Sequence, residues 1–123
     1  MTILNLARQY NQFQQQVGNT LDSTYEDMIP NLFSSSFIKI ANGIVLATNR
    51  SLLKDQLENV RKVAGSWVIV SKEEIPFQEQ NRCLIRYHLM SKDLGSYDVM
   101  AILTMDQEGK IQRIEENYYQ IIE

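Results

Sequence analysis

From Ser66 to the end of the chain, apolar residues alternate with polar ones. Four runs carry that period of two: Trp67–Ile75, Cys83–Met90, Tyr97–Met105 and Ile111–Tyr119. Such alternation belongs to half-buried strands, whose successive side chains point to opposite faces of a sheet. The segments between them, QEQN, SKDLGS and DQEGK, are short and polar, the composition of tight turns. Four strands joined this way meander antiparallel and leave an apolar face that the upstream chain must cover.

The upstream chain has the patterning to do so. Ile3, Leu6, Tyr10, Phe13 and Val17 recur at steps of three and four, with Asn5, Arg8, Gln9, Gln12 and Gln15 opposite, which predicts an amphipathic helix over 2–17. Gly18-Asn19 reads as its C-cap. Thr20, Asp22 or Ser23 then caps a second helix, Ser23 and Glu26 having capping-box spacing, with Leu21, Tyr25, Met28, Ile29 and Leu32 on its apolar side. Pro30 is expected to kink that helix or begin its last turn. Phe33–Ser36 reads as a loop. Asn42-Gly43 between β-rich runs predicts a small hairpin. Asn49 or Ser51 caps a third helix with Leu53, Leu57, Val60 and Ala64 inward, and Gly65 stops it. No linker or repeat divides the chain, so one α+β domain over 1–123 is expected.

Composition excludes several roles. Hydrophobic residues make up 44% and charged residues 22%, a globular balance, and the net charge of -3 with scattered Lys and Arg gives no footprint for nucleic acid. Cys83 is the single cysteine, so neither an internal disulfide nor a thiolate metal cluster is available, and its strand-like flanks read as a buried thiol. The first residues form no signal peptide and no window reaches about 18 apolar residues, so no membrane span is expected and a cytoplasmic location is the expectation. One histidine among scattered carboxylates makes a poor metal site, and no cofactor is implied.

Two stretches carry a resemblance. "YDVMAILTMDQEGKI" looks like the penultimate strand, acidic turn, glycine and start of the last strand of the nuclear transport factor 2-like superfamily, which includes the SnoaL-like cyclases and the ketosteroid isomerases. "LFSSSFIKIANG" resembles the end of its second helix running into its small hairpin. The resemblance implies three helices packed in a strongly curved antiparallel sheet, a cystatin-like α+β cone with an apolar pocket. It also implies that the familiar chemistry is missing. The strand acid of ketosteroid isomerases corresponds to Ala101 and their general-base aspartate falls near Ala41. Their helix-one tyrosine lands near Asn11, beside Tyr10. The aspartate that closes the last strand of SnoaL-like cyclases corresponds to a position close to Tyr119.

Strand alternation assigns the faces. Cys83, Ile85, Tyr87 and Leu89 match Tyr97, Val99, Ala101, Leu103 and Met105 on the inner side, with Leu84, Arg86, His88 and Met90 facing Asp98, Met100, Ile102 and Thr104 outside. The expected pocket residues are Tyr10, Phe13, Tyr25, Phe33, Trp67, Tyr87, Tyr97 and Ala101. The expected function is binding of a small apolar or aromatic ligand without catalysis. An isomerase, cyclase or dehydratase remains open, with Glu115, Glu116 or His88 as base, although His88 and Asp98 fall on the outer face. A protein-interaction module remains open if side chains fill the cone. A homodimer through His88, Met90, Asp98, Met100 and Ile102 is expected, because this outer face mixes apolar residues with charges and the superfamily commonly pairs there.

Overall fold

The computed structural model describes residues 2–19 and 23–122, so Thr20, Leu21 and Asp22 lie outside the described residues, as does the side chain of Ser23. Helix α1 spans Ile3–Asn19, α2 Ile29–Leu32 and α3 Arg50–Ala64; a 3-10 segment, Ser23–Met28, leads into α2. The strands are β1 Phe33–Ala41, β2 Ile44–Ala47, β3 Trp67–Phe77, β4 Arg82–Ser91, β5 Gly95–Met105 and β6 Ile111–Gln120. All six join one curved sheet in the order β2-β1-β6-β5-β4-β3. Among the described residues the result is an α+β fold, three α-helices and a 3-10 segment lying against one mixed sheet. Among the described residues no helix is long and apolar enough to cross a membrane.

Four local expectations need correction. The second helix is a 3-10 segment followed by one α turn, with Pro30 in that turn where its missing N–H costs nothing. Phe33–Ser36 is strand, not loop: β1 begins at Phe33, which pairs with Ile111. That pairing is parallel, so the sheet is antiparallel at every junction except β1–β6. Finally, Gly18 does not turn the chain. It sits inside α1, and a Cβ there would come 2.3 Å from Cδ1 of Trp67, so the glycine is required by close approach of the indole.

Other signals act as read. Asn42 and Gly43 both have positive φ in the β1–β2 turn. The Asn49 side chain accepts a hydrogen bond from the Leu52 amide at 2.8 Å, and Gly65, at φ 70°, ends α3. Strand β3 continues through Pro76, which an edge strand tolerates because no further strand needs its amide.

Helix α1 is pinned to β3. The Trp67 indole N–H donates to the Gln14 carbonyl at 2.9 Å, and the Gln15 side chain bonds the Trp67 carbonyl and the Ile69 amide. From α3, Arg61 donates to the Val17 carbonyl at 2.8 Å, near the end of α1, and lies over the Trp67 ring. Arg50 clasps the Phe33 and Pro30 carbonyls, fixing the start of α3 against α2. The core between α1 and the sheet contains Leu6, Tyr10, Phe13, Phe33, Phe37, Ile85, Leu103 and Ile114.

Candidate ligand-binding site

Because α1 lies toward β3 and α3 toward β1 and β2, a wedge of the inner sheet face stays uncovered. It forms a cavity of about 690 Å³, open on one side. Small-molecule pockets span roughly 300–1,000 Å³, so this one is ligand-sized. Its sheet wall includes Tyr87 and Leu89 of β4, Tyr97 and Val99 of β5, and Glu116 and Tyr118 of β6. Helix α3 supplies the opposite wall, and Leu52, Val60 and Val63 leave apolar surface exposed at the mouth. Val60 was expected inward; it reaches the cavity rather than the core.

Gln14, Tyr87, Lys39 and Glu116 place polar atoms in these walls. The Tyr87 hydroxyl donates to Gln14 Oε1 at 3.1 Å, and the Gln14 amide donates to Asn11. Burial, then the nearby Glu116 carboxylate, holds the Tyr87 phenol well above its usual pKa. Burial does the same to Tyr10, followed by Tyr87 and Glu116. Both phenols therefore stay protonated. Glu116 is 8% exposed; among the described residues it has no hydrogen-bond partner and no ion pair within 4.0 Å. Register explains its direction. Glu116 pairs with Ala101, which is inward, so it points inward as well, while Glu115 points out and lies 3.4 Å from Arg113.

Of the expected pocket residues, Trp67, Tyr87 and Tyr97 line the cavity. Tyr10, Phe13, Tyr25, Phe33 and Ala101 do not. They are packed into the core, Phe13 and Phe33 edge-to-face at 5.3 Å and Tyr10 against Phe33 at 6.1 Å. Aromatic rings that meet one another fill the narrow part of the cone and leave no space beside them. Sequence reasoning missed Gln14, Lys39 and Tyr118. Gln14 lies four residues after Tyr10 and three before Val17, on the apolar stripe. Lys39 alternates with Phe37 and Ala41, both buried.

The sequence matches no protein-family model and no curated protein sequence. Solved structures do match. A SnoaL-like family protein from Agrobacterium tumefaciens strain C58 superposes at TM-score 0.76, with 12% identity over 94% of this chain and 96% of its own. A protein of unknown function from Exiguobacterium sp. 255-15, described as nuclear transport factor 2-like, gives 0.74 with 16% identity over 90% and 97%. A cystatin-fold protein of unknown function from Methylobium petroleophilum PM1 gives 0.74 with 12% identity over 98% and 78%. The chain has the nuclear transport factor 2-like fold.

On the outer face of this nuclear transport factor 2-like sheet, His88 and Asp98 are register partners, yet their side chains stand 3.8 Å apart. Asp98 is engaged elsewhere. It accepts from Arg86 at 3.1 and 2.9 Å and from the Tyr119 hydroxyl at 2.7 Å. His88 and Tyr119 therefore face away from the cavity. Arg86, then Tyr119, holds the Asp98 carboxyl at about 2, below the ordinary 3.8. The folded state thus binds this proton less readily than the unfolded chain. The stabilisation is complete above about pH 4 and is lost as pH falls through about 2. In acid titrations followed by circular dichroism, Asp98→Asn is expected to flatten the stability loss in that window; an unchanged acid limb would contradict the assignment.

Proposed function

We propose that the cavity binds a small, largely apolar or aromatic molecule. One observation carries the reading: an open, ligand-sized cavity whose apolar walls surround an inward carboxylate, Glu116, without a partner among the described residues. Apolar walls supply affinity in proportion to the surface they cover, and a few oriented polar groups supply direction. The expected outcome is saturable binding of the neutral fluorophore N-phenyl-1-naphthylamine, with Kd on the order of 10 μM. Leu89→Trp, which fills the cavity, should weaken it at least about tenfold with the thermal midpoint retained. Equal binding by the variant would sink the reading.

A second reading is supported by the position of Glu116. It stands directly across from Ala101, the position that corresponds to the strand acid of ketosteroid isomerases, so a carboxylate is one strand away from where that resemblance expects one. A base here would remove a proton next to a carbonyl, as an isomerase, cyclase or dehydratase requires. Glu115 and His88, facing outward, offer no such route. Deuterium exchange at the α-carbon of 2-tetralone, followed by proton NMR, tests it. Catalysed exchange that falls about 10²-fold or more in Glu116→Gln supports the enzyme; exchange at the buffer rate in wild type removes it.

The outer sheet face supports a homodimer. Met90 and Met100 are 39% and 47% exposed and lie among Val68, Val70 and Tyr119, an apolar surface costly to leave in water. Asp98, buried by its own ion pair, would contribute through Arg86 and Tyr119 rather than directly. Sedimentation at micromolar concentration should give twice the 14.3 kDa chain mass, and Met100→Lys should return the monomer. A single 14.3 kDa species in wild type would refute it.

A further inference from the structure

Two opposite charges face the cavity from adjacent strands. Lys39 on β1 is 5% exposed and Glu116 on β6 is 8% exposed, and both line the same space. Lys39 pairs with Ile114 and Ala41 with Glu116, so the two side chains emerge from one face at diagonal positions, with Cα atoms about 8 Å apart across the two strands. Nine-tenths buried, each would be expected to carry a counter-ion. Neither has one within 4.0 Å among the described residues. Lys39 donates to a neutral acceptor, Gln56 Oε1, at 3.1 Å, which uses one of the three donors of its ammonium. Asp55, also at the cavity, is exposed at the mouth and is solvated there.

We propose that the ligand of this cavity is dipolar: an aromatic or apolar molecule bearing an ammonium and a carboxylate, the pattern of an α-amino acid. This rests on the reading of the cavity as a ligand site. A singly charged ligand is attracted by one of the two groups and repelled by the other, so its charge gains little. A molecule carrying both charges places its ammonium on Glu116 and its carboxylate on Lys39, and each buried charge acquires a charge-assisted hydrogen bond. Tyr97 and Leu89 then face the apolar portion, with Tyr87, held by Gln14, beside the polar end.

Four naphthyl probes of matched size separate the alternatives by isothermal titration at pH 7: 3-(2-naphthyl)alanine, 3-(2-naphthyl)propanoate, 2-(2-naphthyl)ethylamine and 2-ethylnaphthalene. The amino acid is expected to bind about tenfold tighter than either singly charged analogue, the difference that one charged hydrogen bond makes. Lys39→Met should reverse the preference toward the amine, and Glu116→Gln toward the propanoate. Amino-acid affinity no better than that of the singly charged probes overturns the proposal while leaving the cavity a ligand site. Failure of all four to bind overturns the cavity reading and the proposal together. The wild-type comparison alone decides the matter if a variant does not fold.

Discussion

The Trp67 indole decides how the molecule is laid out. Its N–H is bonded to the Gln14 carbonyl, its ring excludes any side chain from position 18, and Arg61 of α3 lies over the ring. One residue thereby fixes α1 along the β3 edge and ties α3 to the end of α1. A helix pinned at one side of a curved sheet cannot cover all of it. The uncovered inner face between α1 and α3 becomes the cavity, and Trp67 itself forms part of its wall. Fold and site therefore share a cause.

The same division sorts the aromatic residues. On the narrow side, Tyr10, Phe13, Phe33 and Phe37 meet ring to ring and exclude other occupants. On the wide side, Tyr87, Tyr97 and Tyr118 line space, and Tyr97 and Tyr118 meet edge-to-face at 5.9 Å near the opening. Polar groups follow suit. The outer Asp98 is saturated by Arg86 and Tyr119, a closed structural cluster, whereas Glu116 has acceptor capacity left for something in the cavity.

Much of the fold is legible in the chain because its signals are local. The 3-4 stripe of Ile3 to Val17, the Asn42-Gly43 turn and the two-residue alternation of the last four strands each report backbone geometry directly. What depends on distant pairing is not legible. Ser34–Ser36 carry no strand pattern; they lie in the irregular stretch of β1 between the Phe33–Ile111 and Ile38–Arg113 pairings with β6, and those flanking pairings are long-range. Whether Glu115 or Glu116 turns inward is a matter of register with Ala101, which adjacent glutamates in the sequence leave open. Apolar periodicity likewise separates inside from outside but not packed core from cavity wall, so Tyr10 and Tyr87 read alike although they end in different places. Lys39 shares its side of β1 with the buried Phe37 and Ala41, an inward placement that a charged residue type does not signal.

The proposed ligand seat is the space between α3 and the inner sheet face. Isotope-filtered NOE spectroscopy of the labelled protein with bound N-phenyl-1-naphthylamine tests it most directly. Contacts from the probe to the methyl groups of Val63, Leu89 and Val99 are the predicted result. Contacts confined to Met100 and Ile102 on the outer face would contradict it.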